Sequence, residues 1–521
     1  MKSYDYVIIG SGFGGSVSAL RLAEKGYSVL VIEKGKHYAP SDFPKTNWNL
    51  RKWIWLPSMG FYGIMKMTFY RHLGILSGTG VGGGSLVYAN TLPEPQKSFF
   101  ATGSWKDLAD WEKELKPYYQ KAKKMLGASL NPKLDEADNV LKEVATTMKL
   151  QNNFSATEVG VFFGEPDKEV ADPFFEGKGP KRTGCSFCGA CMTGCRNDAK
   201  NSLDKNYLYL ARQLGAEVLA EQEVYDVIPA GKADGSEGYL VKSKSSTRLF
   251  KKRLTFKAAN VIFAGGVLGT MNLLLKLKKS SLPNLSKRLG KDIRSNNEAL
   301  IFSVTPLHSR DLSKGIAIGS ILNVDEKTHL EVVRYGEGSG FWRLGMLPNV
   351  DGGNLFKRLG QMTIKVLKNP LAYLKVWTVG DFAKHSAVLL FMQQINTTLT
   401  FKRGLFRLKT SIESGKKPVA QIPLAYNLAS EYSQITGGKP MVFLTETLLN
   451  MPSTAHILGG ATMGKNIESG VIDLNNKVFG YKNMMICDGS VISSNPGVNP
   501  SLTITAISER AMDKIPAKSR V

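Results

Sequence analysis

A glycine-rich turn near the start of the chain limits what it can fold into more than any other stretch. Tyr6-Val7-Ile8-Ile9 is a short apolar run of strand character that enters Gly10-Ser11-Gly12-Phe13-Gly14-Gly15. Ser16 to Lys25 then reads as a helix with small and apolar residues on one face, and Ser28 to Ile32 as a second strand ending at Glu33. Strand, G-x-G-x-x-G, helix, strand and acid together make a dinucleotide cradle. Gly10 permits the tight turn, Gly12 lets the backbone approach a pyrophosphate, and Gly15 lets helix and strand pack closely. The helix N-terminus offers free N–H groups to the anion, and Glu33 is placed to accept hydrogen bonds from ribose hydroxyls. This predicts an α/β unit with a Rossmann-like core.

At 521 residues the chain exceeds what one core usually organises, so two joined domains are expected. Met1 to Asp5 leads straight into the first strand, leaving no room for a signal peptide. No run of about 18 apolar residues marks a membrane span, so the expectation is a cytoplasmic protein. The formal net charge of +24 favours anionic surfaces. With no nucleic-acid module in the sequence, the inner face of a membrane is the better partner. Four of the five cysteines, Cys185, Cys188, Cys191 and Cys195, fall within eleven residues. In a reducing compartment that crowding points to a metal rather than to disulfides.

Residues 37–75 read as a loop rich in aromatic and basic side chains. They precede Gly78-Thr79-Gly80-Val81-Gly82-Gly83-Gly84-Ser85, a backbone able to lie flat against a ring or a phosphate. Helices are expected from Ser104 to about Leu126, Asp135 to Leu150, Asn201 to Leu214, Gly269 to Lys278 and from near Ser501. A strand is expected over Ala216 to Val227, and a buried one at Val261 to Phe263 running into Gly265-Gly266. Alternating apolar and polar positions at 298–350 and 385–425 predict antiparallel strands of a second domain. Between them, Phe356 to Lys384 is basic, apolar and helical in period, with a break at Pro370.

These pieces in this order resemble the glucose–methanol–choline (GMC) oxidoreductases, and within them the cholesterol-oxidase group. The resemblance covers most of the chain. It rests on the glycine fingerprint with Glu33, on Gly80 to Asn90, on Ala264 to Thr270, and on His456-Ile457-Leu458-Gly459-Gly460-Ala461 with Asp488-Gly489-Ser490 and Gly497-Val498-Asn499-Pro500. It implies an α/β (α+β overall) fold: a Rossmann-like FAD domain from residues 1–97, 201–300 and 450–521, and a mainly antiparallel-sheet substrate domain from 98–200 and 301–449. It implies non-covalent FAD held by Gly10, Gly12, Phe13, Gly14, Gly15, Glu33, Gly78, Gly82, Gly83, Ser85, Asn90, Val224, Gly265, Asp488, Gly489 and Asn499. The catalytic roles implied fall on His456 and Asn499, with a substrate-domain carboxylate at Glu331; Glu337, six residues on, is the competing position.

Oxidising an alcohol with a flavin needs a base for the hydroxyl proton, an acceptor for the carbinol hydride and donors for the developing charge. A histidine with near-neutral pKa suits the first role and an asparagine amide the last. The other histidines, His37, His72, His308, His329 and His385, show no pairing in the sequence. The expected substrate is a sterol or 3-hydroxysteroid, with another hydrophobic alcohol as alternative, and oxygen or a redox carrier takes the electrons. A flavin-bearing electron-transfer protein without alcohol chemistry is the rival class.

Cys185-x2-Cys188-x2-Cys191-x3-Cys195, in a loop over 183–197, has ferredoxin spacing, although Arg196 stands where proline is expected. A 4Fe–4S cluster is the leading expectation there; a zinc site with four thiolates and unliganded thiols stay open. A cluster would let electrons leave singly towards an external carrier. Peripheral membrane contact is expected through Trp48 to Arg71, of interfacial composition, and Phe356 to Lys384, where Arg358, Lys365, Lys368 and Lys375 share a face turned to the anionic surface.

Overall fold

The computed structural model describes residues 1–350, 352–405, 407–413 and 418–519. Its first sheet has seven strands. Ser3–Ile9 sits at the centre and pairs in parallel with Val29–Ile32 on one side and Arg253–Phe263 on the other. Glu217–Leu219 extends the parallel set beyond Val29–Ile32, and Met484–Ile486 pairs with the end of Arg253–Phe263. Tyr239–Ser245 and Gln222–Pro229 add an antiparallel edge. Val7, Ile8, Val31, Val261 and Ile262 are fully buried, as β-branched residues are when helices cover both faces of a parallel sheet.

The helix Phe13–Glu24 crosses this sheet against Ser501–Asp513. Gly10 makes the entry with φ of 107°, where a Cβ would lie 2.3 Å from the Ala264 carbonyl oxygen. At Gly15 a Cβ would stand 2.1 Å from the Gly10 oxygen, so helix and strand close only around a glycine.

The second sheet also has seven strands, all antiparallel, in the order Met346–Pro348, Lys439–Phe443, Ala299–Val304, Ser386–Gln393, Thr328–Val333, Ile318–Asp325 and Phe154–Ala156. One face covers an aliphatic core shared with the helices Glu136–Thr147 and Pro423–Ile435. The other packs into an aromatic cluster with Trp53, Trp342 and Phe382.

Several expectations need correcting. The helix expected from Ser104 begins at Trp111, because Asp110 rather than Ser104 accepts the first-turn N–H of Lys113. The helix expected over Asn201 to Leu214 is only Tyr207–Gln213. The strand over 216–227 is two strands, broken where Glu221 takes φ of 58°. Residues 37–75 are not a loop: Met65–Phe69 and Gly74–Gly78 form a hairpin, and Gly74–Gly78 pairs in parallel with Ser453–Thr454. Within 385–425, Phe406 and residues 414–417 lie outside the described residues.

Candidate active site

A cavity of about 300 Å³ opens between the two sheets. Gly12, Phe13, Gly14, Gly265, Asp488 and Gly489 line one end; Leu300, Phe302, Val333, Trp342, Leu390 and Phe443 wall the other, with His456 and Asn499 also on its lining.

The hairpin that sequence reading misses is what places His456. Ser453–Thr454 adds to that hairpin, and His456 follows two residues later. Its backbone N–H donates to Thr454 Oγ1 at 3.0 Å, and its Nδ1 lies 2.8 Å from Glu298 Oε1. Glu298 is fully buried and also accepts from Thr454 Oγ1 (2.9 Å) and the Ala455 N–H (2.8 Å). Burial by itself lowers the imidazole pKa. The charge and hydrogen bond of Glu298, with Glu331 adding, outweigh burial, and the pKa is raised above its ordinary 6.5.

Asn499 sits before Ser501–Asp513, and its Nδ2 donates to Glu331 Oε2 at 3.2 Å. Its Oδ1 is buried without a partner among the described residues. Asn296, with φ of 57°, fixes the loop ahead of it: its Oδ1 accepts from the Gly497 N–H (2.8 Å) and its Nδ2 donates to the Val498 carbonyl (3.0 Å). Glu331, in Thr328–Val333, is fully buried. Glu337 lies on the surface, paired with Lys314 and Lys384. His329 is not the unpaired histidine expected from sequence: its Nε2 lies 3.0 Å from Glu331 Oε1 and its Nδ1 3.0 Å from Asn323 Oδ1.

Glu298 and Asn296 were missed in the sequence because each acts on a residue distant in sequence, whereas His329 and Glu331 are two residues apart on one strand face, a spacing the sequence does show. Another available signal was Asn296-Asn297, a pair of the residue type that best tolerates the left-handed conformation both adopt.

The cofactor candidates divide by position. Gly12, Phe13, Gly14, Gly78, Gly265, Asp488, Gly489 and Asn499 line the cavity. Gly10, Gly82, Gly83 and Ser85 shape the turns behind it, and Gly15 lies in the first turn of the helix Phe13–Glu24. Glu33 is buried, its oxygens already accepting from Ser11 N (3.1 Å), Ser11 Oγ (2.9 Å) and Gly35 N (2.9 Å). A carboxylate offers about four acceptor sites, so capacity for a hydroxyl remains. Val224 is buried in the edge strand Gln222–Pro229, and Asn90 lines a smaller neighbouring cleft with the cysteines.

The residues fit a dinucleotide. The helix Phe13–Glu24 has no side-chain cap, so its first N–H groups are open towards the cavity. A Cβ built on Gly12 would meet nothing within 4 Å. Lys34 and Lys66 also line this cavity, and the charge of Lys34 together with burial pushes the Lys66 ammonium down to about 7.

The cysteine loop does not match its expectation of a metal centre. Cys185, Cys188, Cys191 and Cys195 line one small cleft, but Cys185 is buried with Val159, Val161 and Ile316 while Cys188 is exposed. Among the described residues no three Cys, His, Asp or Glu side chains are gathered to hold a metal ion. Burial pushes the Cys185 thiol up, and Cys191 to about 11. The arrangement does not fit an iron–sulfur cluster. Instead Lys200, buried beside the loop, donates to the carbonyls of Leu86, Tyr88 and Cys191.

Comparison with known proteins agrees with this geometry. Residues 180–295 and 381–508 match the family described as GMC oxidoreductase, and residues 8–40 an NAD(P)-binding Rossmann-like domain. The chain is 44% identical, over 99% of its length and 95% of the relative's, to a cholesterol oxidase of Acinetobacter baumannii. It is 41% identical, over 99% of its length and 91% of the relative's, to a cholesterol oxidase of Mycobacterium tuberculosis (strain ATCC 25618 / H37Rv). The crystal structure of a pyridoxine 4-oxidase from Mesorbium loti superposes with a TM-score of 0.62 at 13% identity over 98% of both chains, a likeness of fold. With a cradle for the dinucleotide, a cavity between the sheets and relatives matched along nearly its whole length, the chain belongs to the GMC oxidoreductase family, as an FAD-dependent alcohol oxidoreductase.

Proposed function

We propose that the protein oxidises the secondary hydroxyl of a bulky lipophilic alcohol, a sterol or other 3-hydroxysteroid, to the ketone. The observation that carries this reading is the cavity between the sheets, whose apolar wall of Leu300, Phe302, Val333, Trp342 and Leu390 shares one space with His456 and Asn499. Such a wall takes up fused hydrocarbon rings, and the polar residues orient the one hydroxyl. The activity named for the relatives points the same way. Bound FAD supplies the acceptor for the carbinol hydride.

The chain's own residues bind, orient and move the proton. Nδ1 of His456 is engaged by Glu298, which leaves Nε2 to accept the hydroxyl proton. Asn499, held by Glu331, keeps one N–H and a bare carbonyl for the substrate oxygen. His329 positions Glu331 from behind. Gly12 to Gly14 and the open helix N-terminus would hold the diphosphate, with Glu33 at the ribose. In domain terms, residues 1–97, 201–300 and 450–521 would carry the cofactor and 98–200 and 301–449 the substrate, with 299 and 300 moved to the substrate side because Ala299–Val304 is one strand of its sheet.

Dioxygen is the proposed electron acceptor, so that one alcohol and one dioxygen give one ketone and one hydrogen peroxide. Sterol-dependent oxygen uptake with equal peroxide is the expected result. No uptake with sterol, but uptake with a long-chain primary alcohol, would move the substrate class. Because such substrates reside in bilayers, the proposal includes peripheral contact with an anionic membrane. No helix among the described residues is long and apolar enough to cross one.

Two outcomes test the cofactor and the base. Acid precipitation is expected to release the yellow colour into the supernatant; colour retained in the pellet would mean a covalent link. Glu298→Gln removes the charge that raises the His456 pKa. Since the base must be neutral, wild-type turnover should fall as pH drops through that raised value, and the variant's acid limb should lie at lower pH, with turnover down roughly tenfold or more. By linkage, the His456–Glu298 pair stabilises the fold fully below the unfolded pKa and loses this as pH rises through the folded one. An acid limb that stays in place in the variant would remove His456 as the base.

A further inference from the structure

Two consecutive helices, Leu355–Lys368 and Pro370–Trp377, build an exposed apolar surface. Phe356 is 82% exposed, Leu367 and Leu371 each 71%, and Ile364, Leu374 and Trp377 stand out beside them. Two of the four basic residues expected to meet a membrane, Arg358 and Lys365, turn the other way. Arg358 is buried, donating to the carbonyls of Thr447 (2.6 Å), Leu448 (3.2 Å) and Gly353, and Lys365 donates to the Asn349 carbonyl at 2.9 Å. These two cations tie the first helix to the body by its polar face and leave its apolar face outward. The second helix anchors through Tyr373 and Val376, in the same hydrophobic cluster as the cavity-lining Phe302, Trp342 and Leu390. Arg343 fastens its far end, donating to the carbonyls of Trp377 (3.2 Å) and Val379 (2.5 Å), and so brings Leu344, 69% exposed, next to the plate. In the other expected stretch Trp53 and Trp55 are core residues, while Trp48 is half-exposed and meets Phe341 edge-on.

We propose that this plate inserts its outward apolar face into an anionic lipid bilayer, so that the substrate cavity lies directly behind the membrane-embedded surface. This rests on the lipophilic-alcohol reading above and adds the docking element and its orientation. The occupant follows from charge. Residues 352–380 contain no acidic side chain, while Lys357, Lys368 and Lys375 are exposed around the apolar face. A helix pair with apolar residues facing out and lysines at its margin suits an acyl–headgroup boundary, where lysine stems lie along apolar surface and their ammonium groups meet anionic lipid. A second copy of the chain fits poorly. A two-fold interface would set the same lysines against each other, without a carboxylate in the plate to offset them.

The test is flotation of the FAD-loaded protein with phosphatidylglycerol–phosphatidylcholine vesicles, beside turnover of sterol dispersed in detergent. Wild type should float with the vesicles, and less so as salt rises. Leu367→Asp with Leu371→Asp should reduce the bound fraction at least tenfold, and Lys357→Glu with Lys368→Glu and Lys375→Glu should remove its salt dependence. Both variants should keep wild-type thermal unfolding and detergent turnover, because none of these side chains touches the cavity. Wild type left in solution with vesicles, flotation of the aspartate variant equal to wild type, or a dimer that the aspartate variant dissolves without vesicle binding would each overturn the proposal. Flotation without turnover of detergent-dispersed sterol would leave docking standing and overturn the substrate reading instead.

Discussion

His456→Ala should lower turnover by about 10²-fold or more while FAD stays bound, the scale on which positioned acid–base groups contribute. His456 is the one imidazole on the cavity lining among the described residues, and its Nδ1 is already committed to Glu298. A carboxylate on one ring nitrogen fixes the tautomer and orients the other nitrogen, and alanine removes both functions. Nothing in the dinucleotide cradle depends on this side chain, since Gly12, Gly14 and the helix N-terminus lie on another segment. The loss should therefore appear in kcat, with unchanged flavin absorbance and an unchanged FAD content per chain. Near-normal turnover would move the base elsewhere, Glu298 and Glu331 being the carboxylates whose charge reaches this site.

Arg334→Met is expected to destabilise the protein by about 3–5 kcal/mol, the cost of leaving one partner of a buried ion pair alone. Arg334 Nη2 stands 2.7 Å from Asp138 Oδ1, with both side chains essentially inaccessible. Asp138 also accepts from Ser320 Oγ at 2.7 Å, and Arg334 Nη1 donates to the Lys314 carbonyl at 2.7 Å. The pair thus fastens the helix Glu136–Thr147 to the strands Ile318–Asp325 and Thr328–Val333. Combining Arg334→Met with Asp138→Leu should recover much of the loss, because no buried charge is then left unpaired. Urea midpoints of the FAD-loaded forms would show it; a double variant no better than the single would mean that packing, not charge, is lost.

The parts of the site legible in the sequence are those where the backbone sets a local demand. Gly10 takes a φ of 107° and Gly15 closes on the Gly10 carbonyl oxygen, so these demands arise within the fingerprint itself and were readable there. Glu298 could not be found that way, since it meets His456 across 158 positions. The hairpin of Met65–Phe69 and Gly74–Gly78 was read as a loop because its third strand, Ser453–Thr454, comes from the far end of the chain. The amphipathic helix Leu355–Lys368 was found by its period and misread in its orientation. Periodicity gives two faces, and only Arg358's carbonyl partners on Thr447 and Leu448 decide which one turns inward.

Both proposed catalytic side chains belong to C-terminal segments, yet each is gripped by a carboxylate at or on the antiparallel sheet: Glu298 for His456 and Glu331 for Asn499. On the proposed domain bounds His456 and Glu298 lie on the cofactor side, and it is the Asn499–Glu331 contact that joins the two halves at the site. The cradle and the reactive pair are assembled by separate contacts, so a small slip between the sheets would silence the chemistry before it released the flavin. The folded interface then acts as a commissioning step. On this reading a chain whose sheets are out of register would hold the flavin and yet be inert, so turnover would report that registration where colour would not.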